Sequence, residues 1–272
     1  MLDIFTYFYK FTTFRIGVLV KIIILDTETS GSTAEDRVIS LAIGEYHNGE
    51  LINRKKGMFN PGVAVKQGSF WVHKISDEKL ANKPSFKNTE FYPFLESVFA
   101  SPENVVVGHA ICNDLFMIAR EGIQCKCRLI DTQHCSVEIL KTKKTALNFL
   151  AKEFNLVNDA DKDDIKFHTA EGDVYVTFQL LNELLKHNSL NQLIQLSMAP
   201  FYEILLSGEG YRKQRVYHLA TRDKEILLTH YSKVKDQKVF YALMYFYGNA
   251  DLFSGETKKA KILKILNRRG EV

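Results

Sequence analysis

The sequence predicts an α/β fold: a mixed five-stranded sheet, with three strands in an antiparallel meander and then two parallel strands, flanked by helices and followed by a small helical C-terminal extension. Three observations predict it. Apolar runs with β-branched residues open the chain and are joined by hairpin-type turns. Helical periodicity takes over near Phe86. Short apolar strands and amphipathic helices then alternate up to Lys186, the pattern of parallel strands with crossover helices.

Each element has its own signal. Residues 21–25 (KIIIL) read as a buried central strand that ends in Asp26-Thr27-Glu28 and feeds a loop. Arg37 to Tyr46 is a second strand, and Asn48-Gly49 is a two-residue hairpin signal leading to a third strand over Leu51–Phe59. Phe86–Ala100 has helical spacing and is closed by Pro102. Val105–Val107 is a short strand ending at Gly108-His109, and Asn113–Glu121 is a helix stopped by Gly122. Arg128–Asp131 is the fifth strand, with Asp131 an N-cap for the helix that follows. Thr145–Phe154 and Glu171–Lys186 are amphipathic helices. The expected organisation is therefore an extension over 1–20, a main domain over 21–187, and a small basic module over 188–272.

Charge separates these parts. Residues 188–272 hold 14 Lys and Arg against 8 Asp and Glu, leaving 22 against 24 in the rest of the chain. A near-neutral body with a basic end suits a polyanionic partner, and the Lys258–Arg269 segment is a candidate phosphate contact. A solvated helical surface accounts for the same charges. Asp3, Lys10 and Arg15 interrupt the apolar N-terminus, so no bilayer span is expected there. The four cysteines, Cys112, Cys125, Cys127 and Cys135, lack zinc-site spacing and read as reduced thiols of a cytoplasmic protein.

The chemistry lies in acids at strand ends and helix starts. Asp26 and Glu28 stand at i and i+2, so their side chains share one face of the strand end. Like charges that close repel unless a cation lies between them. Asp114 opens the helix after the fourth strand, where an acid also favours the helix dipole. His168 and Asp173 open the last long helix, and a loop histidine can take a proton at neutral pH. Strand ends and helix starts converge on one edge of an open α/β sheet. Four carboxylates there would hold two divalent cations about 4 Å apart for phosphodiester hydrolysis. Oxygen ligands favour Mg²⁺ or Mn²⁺.

Taken in order, these segments resemble the motifs of the DEDDh (DnaQ-like) 3′-to-5′ exonucleases, of the RNase H-like fold, in the branch of the epsilon proofreading subunit and RNase T. The carriers are Leu25–Gly31 (LDTETSG), Val107–Asp114 (VGHAICND), and His168, Ala170 and Asp173 as H-x-A-x-x-D. Trp71–Ser76 is similar to the family's vHgIt segment, and Ile130-Asp131-Thr132 to its iDT strand end. The resemblance implies that Asp26 bridges both ions, Glu28 and Asp173 complete the first site, Asp114 holds the second, and His168 is the general base. It also implies that Thr27, Thr29, His73, Ile75 and His109 grip the terminal nucleotide. The implied substrate is a single-stranded 3′ end, DNA favoured over RNA, and a DNA polymerase subunit is an implied partner. Two positions depart from the family pattern: Ala110 replaces an Asn and Asn113 a Phe. These departures and the basic C-terminus motivate the alternative of a weakly active nucleic-acid-binding subunit on the same fold.

Overall fold

The computed structural model describes residues 20–33, 35–158, 165–208, 211–223, 225–231 and 233–250. Most of the N-terminal extension and the Lys258–Arg269 segment lie outside the described residues. Two compact units divide between Ser197 and Met198.

The larger unit is built on a five-stranded sheet of order β3-β2-β1-β4-β5. Its strands are β1 (Ile22–Thr29), β2 (Val38–His47), β3 (Glu50–Met58), β4 (Val105–Gly108) and β5 (Arg128–Asp131). Asn48 and Gly49 take φ of 49° and 88°, the left-handed pair that a tight β2–β3 hairpin requires. Two short helices follow, α1 (Gln67–His73) and α2 (Asp77–Leu80). The region expected as one helix over Phe86–Ala100 is a 3₁₀ turn, Phe86–Asn88, and then α3 (Phe91–Phe99). The helices α4 (Cys112–Arg120), α5 (Thr132–Leu140), α6 (Leu147–Glu153) and α7 (Ala170–Leu185) alternate with the last two strands or follow them. α7 lies across β1 and β2 and buries Val174, Val176, Leu180, Leu181 and Leu184 there.

β1 runs through its two acids to Thr29. The reason is the length of β2, which supplies partners at Asp26↔Ala42, Thr27↔Leu41 and Glu28↔Ser40. On its other edge β1 pairs in parallel with β4 only from Ile22↔Val105 to Ile24↔Val107. Beyond Leu25 no strand among the described residues pairs with that edge. This is the crevice outside the strand ends where α/β sheets place their ligands.

The smaller unit carries α8 (Leu190–Tyr202) across the division. It then adds a two-stranded ribbon absent from the sequence reading, β6 (Leu205–Gly208) with β7 (Tyr211–Arg215), and the helices α9 (Val216–Asp223), α10 (Glu225–Tyr231) and α11 (Gln237–Gly248). Its core is aromatic: Phe201 meets Tyr241 at 4.9 Å and Tyr202 meets Phe246 at 5.1 Å between ring centroids. Asp236 caps α11 by accepting the Val239 N–H. Among the described residues no helix is long and apolar enough to cross a membrane. All four cysteines are buried free thiols.

Candidate active site

Carboxylate oxygens of Asp26, Glu28 and Asp173 lie within 4.8 Å of one another. Two come from the open end of β1 and the third from the first turn of α7. Asp114 stands beside them at the start of α4, buried and engaged with Thr27, which lies between the two β1 acids. Its Oδ1 accepts the Thr27 N–H at 2.8 Å and the Thr27 hydroxyl at 2.7 Å. The strand geometry explains the bond: with β4 finished, the Thr27 N–H has no ladder partner, and the Asp114 carboxylate takes that place.

The electrostatics follow from this crowding. Burial, then the negative charges of Asp114, Asp173 and Glu28, pushes Asp26 well above the usual carboxylate range. Burial and the charges of Asp173 and Asp114 raise Glu28 to about 8. Burial raises Asp114 to about 7 against the opposing Thr27 bonds. Burial raises Asp173 to about 6, held down by the charge and the backbone N–H of His168. Four acids so disposed are protonated or mutually repelling at neutral pH, a state relieved by a cation among them. An all-carboxylate donor set fits hard divalent ions such as Mg²⁺ or Mn²⁺.

His168 is exposed in the turn before α7, with φ of 60°. Thr169 caps α7 by accepting the Gly172 N–H at 3.2 Å, and its hydroxyl donates to the Lys166 carbonyl at 2.7 Å. Gly172 is required by closeness: a Cβ there would lie 2.1 Å from the Lys166 carbonyl oxygen. The turn bearing His168 is therefore pressed onto the helix that bears Asp173. Glu171, one turn-residue away, is ion-paired to Lys56 of β3.

The residues expected at the terminal nucleotide are mostly committed elsewhere. Ile75 is 4% exposed and packs with Ile39 and Leu80 in the core. His73 is buried; its Nδ1 accepts the Ile75 N–H at 3.0 Å, so the proton sits on Nε2, which donates to the Thr29 carbonyl at 3.2 Å. Burial lowers its pKa, in keeping with a neutral ring. His109 lies between the Thr145 carbonyl, 2.6 Å from Nε2, and the Thr132 hydroxyl, 3.1 Å from Nδ1. Thr29 donates to the Gly31 carbonyl at 2.7 Å. Direct contact with a ligand through His73 or His109 needs those bonds to exchange.

Two positioning groups make contacts that no motif announces. Asp36 is 2% exposed and accepts Lys66 Nζ at 2.7 Å, the Thr33 N–H at 2.7 Å and the Ser30 hydroxyl at 3.2 Å. This buried carboxylate organises the loop that follows the β1 acids. Asp131, read as a cap, accepts from Gln133 and His134 and also from the Ala110 N–H at 3.1 Å. Both arrangements join residues through loop geometry, which no sequence spacing reveals.

A mixed sheet of order 3-2-1-4-5 with a carboxylate cluster at its open strand end defines the class: an RNase H-like α/β fold. A family model described as exonuclease, of the RNase T type, matches residues 23–181, and the chain belongs to that family. The chain is 25% identical over 150 residues to DNA polymerase III subunit epsilon of Buchnera aphidicola subsp. Schizaphis graminum, covering 51% of this chain and 64% of that protein. It is 26% identical over 211 residues to the PolC-type DNA polymerase III of Staphylococcus aureus, covering 72% of this chain but 13% of that protein. The fold is similar to that of exonuclease X in complex with 5′ overhanging duplex DNA, with a TM-score of 0.52 and 18% identity over 64% of this chain and 99% of that one. It is also similar to E. coli exonuclease I in complex with a dA16 oligonucleotide, with a TM-score of 0.53 and 13% identity over 92% and 71% of the two chains.

Proposed function

We propose that the chain is a metal-dependent 3′-to-5′ exonuclease that releases nucleoside monophosphates from single-stranded nucleic acid, DNA in preference to RNA. The observation that carries this reading is the cluster of Asp26, Glu28 and Asp173 oxygens within 4.8 Å, with Asp114 pinned beside it. Membership of the exonuclease family, and a fold shared with nucleases bound to DNA, support it. Similarity to polymerase III proteins supports a role beside a DNA polymerase.

In this reading Asp26, Glu28, Asp114 and Asp173 would hold the divalent ions. Two bound ions supply Lewis-acid charge that activates water and stabilises the leaving oxygen in phosphodiester hydrolysis. The chain's own residues do the rest. The exposed His168 accepts the proton of the attacking water, and the Thr169 cap and Gly172 contact hold its turn against α7. Thr27 orients Asp114 through two hydrogen bonds. His73 and His109 shape the crevice around the terminal nucleotide by fixing Thr29 and the β4–α4 corner.

The test is digestion of matched 5′-labelled DNA and RNA oligonucleotides with Mg²⁺ or Mn²⁺. Stepwise shortening from the 3′ end is expected, faster on DNA, and abolished in Asp26→Ala and Asp173→Ala. His168→Gly should lose about 10²–10⁴ in kcat and regain part of it with added imidazole. Undiminished digestion by either acid variant rejects the assignment.

A further inference from the structure

The outer face of α1 carries a feature unlike the rest of the surface. Trp71 is 62% exposed, more than any other exposed large hydrophobic residue among the described residues, and Val72 beside it is 52% exposed. Lys74 ends the helix in the left-handed conformation, φ 58° and ψ 27°, and its N–H donates to the Phe70 carbonyl. That turn folds the side chain back, so Lys74 Nζ lies 4.5 Å from the Trp71 ring centroid and 5.8 Å from that of Phe70. The two rings meet edge to face at 6.0 Å. An indole and an ammonium are thus held together in water.

The position of α1 is fixed at both ends by the segment that follows Glu28. At its start the Lys66 N–H donates to the Ser30 carbonyl at 2.7 Å. At its end His73 Nε2 donates to the Thr29 carbonyl at 3.2 Å. His73 thus turns inward onto Thr29, the residue after Glu28, while Trp71 and Val72 stay exposed on the same short helix.

Resting on the exonuclease reading, we infer that Trp71 and Lys74 form a stacking-and-phosphate subsite for a nucleotide upstream of the one removed, and so set the length of strand the enzyme grips. A base stacks on the indole and the ammonium takes the adjoining phosphate, the combination that sequence-independent single-strand binders use. The patch suits this occupant in size as well as in chemistry. A standard protein interface needs about 800 Å² per partner, whereas the exposed apolar patch here is two side chains, Trp71 and Val72.

Trp71 is the only tryptophan of the chain, so its fluorescence reports on this surface alone. Single-stranded deoxynucleotide hexamer is titrated into the full chain with EDTA present to stop hydrolysis, and binding is followed in parallel by polarisation of labelled hexamer. Saturable quenching is expected. Trp71→Ala should weaken hexamer binding about tenfold, and Trp71→Phe should restore most of it. Lys74→Gly, compatible with the positive φ, should lower the salt dependence of binding by about one ion. With Mg²⁺, the KM penalty of Trp71→Ala should grow from dinucleotide to hexanucleotide. Hexamer binding without quenching, equal affinity in Trp71→Ala, or a KM penalty independent of length overturns the subsite. A concentration-dependent dimer that Trp71→Ala disperses overturns it in favour of a second copy of the chain. Absence of any nucleotide release by the unaltered protein would instead count against the exonuclease reading, which the metal-free titration does not use.

Discussion

The Asp114 carboxylate accepts both the backbone N–H and the hydroxyl of Thr27, a residue 87 positions earlier that separates the two acids of β1. One oxygen therefore ties the start of α4 to the centre of the acidic strand end. Thr27→Val removes the hydroxyl bond and keeps the N–H bond. Stability should fall by about 1–2 kcal/mol, since a hydrogen bond to a charged partner is lost inside the protein. Activity should fall about 10–100-fold, the usual effect of freeing a ligand from its support. Thr27→Ser should recover both. Urea titration and steady-state kinetics read the two effects, and a Val variant with native kinetics would remove Thr27 as an orienting group.

The raised carboxylates dictate how stability varies with pH. Asp173, Asp114 and Glu28 move from ordinary values near 4 to about 6, about 7 and about 8, with burial the main cause in each. Their folded forms bind protons more tightly than the unfolded chain does. Their stabilising effect is full below about pH 4 and is lost as pH rises through 6 to 8. The metal-free protein should therefore melt at a lower temperature at pH 8 than at pH 5. Asp26→Asn should flatten that fall. Mg²⁺ or Mn²⁺ should raise the melting temperature more at pH 8 than at pH 5, because protons compete less with the ion for the carboxylates there. An ion-induced shift of the same size at both values would contradict the assigned ligand set.

Gly172 gives a test of the His168 turn that leaves the histidine in place. A methyl group there meets a backbone carbonyl at 2.1 Å, which cannot swing aside as a side-chain tip could. Gly172→Ala should displace residues 166–169, cost about 1–3 kcal/mol of stability, and lower kcat well beyond its effect on KM. Calorimetry and kinetics together decide: a variant with native kcat would show that His168 acts without a fixed turn.

Ala110 occupies a left-handed conformation, φ 58°, at the place where the family motif carries Asn. Its N–H is held by Asp131 and the next corner residue, His109, by Thr145. An alanine in this region costs about 1 kcal/mol that Asn or Gly largely avoids. Ala110→Asn and Ala110→Gly should each stabilise the protein by about 0.5–1 kcal/mol, seen as a higher urea midpoint. A lower midpoint in both variants would show that the corner is not strained.

Much of this was legible from residue order. Asn48-Gly49 announced its hairpin and Asp131 its cap, because both signals are local and each residue type has few reasons to occupy such positions. Asp26, Glu28 and Asp173 were legible as a set because strand ends and helix starts meet on one edge. What escaped notice depends on partners distant in the chain. Ile75 went to the core because Ile39 and Leu80 receive it. The bonds of His73 to Thr29 and of Lys66 to Asp36 involve side chains whose destinations no spacing encodes. Asn113, a departure from the family's Phe, is exposed, so its polarity is accommodated by solvent.

The cluster draws its oxygens from residues 26, 28 and 173, and its neighbour from residue 114. Those contributors span most of the larger unit and meet only after a parallel crossover between β1 and β4 has closed. No shorter piece of the chain can assemble the pocket. Catalytic competence during refolding should then return with the slowest conformational phase rather than with early helix formation, and hydrolysis becomes a reporter for completion of the whole sheet.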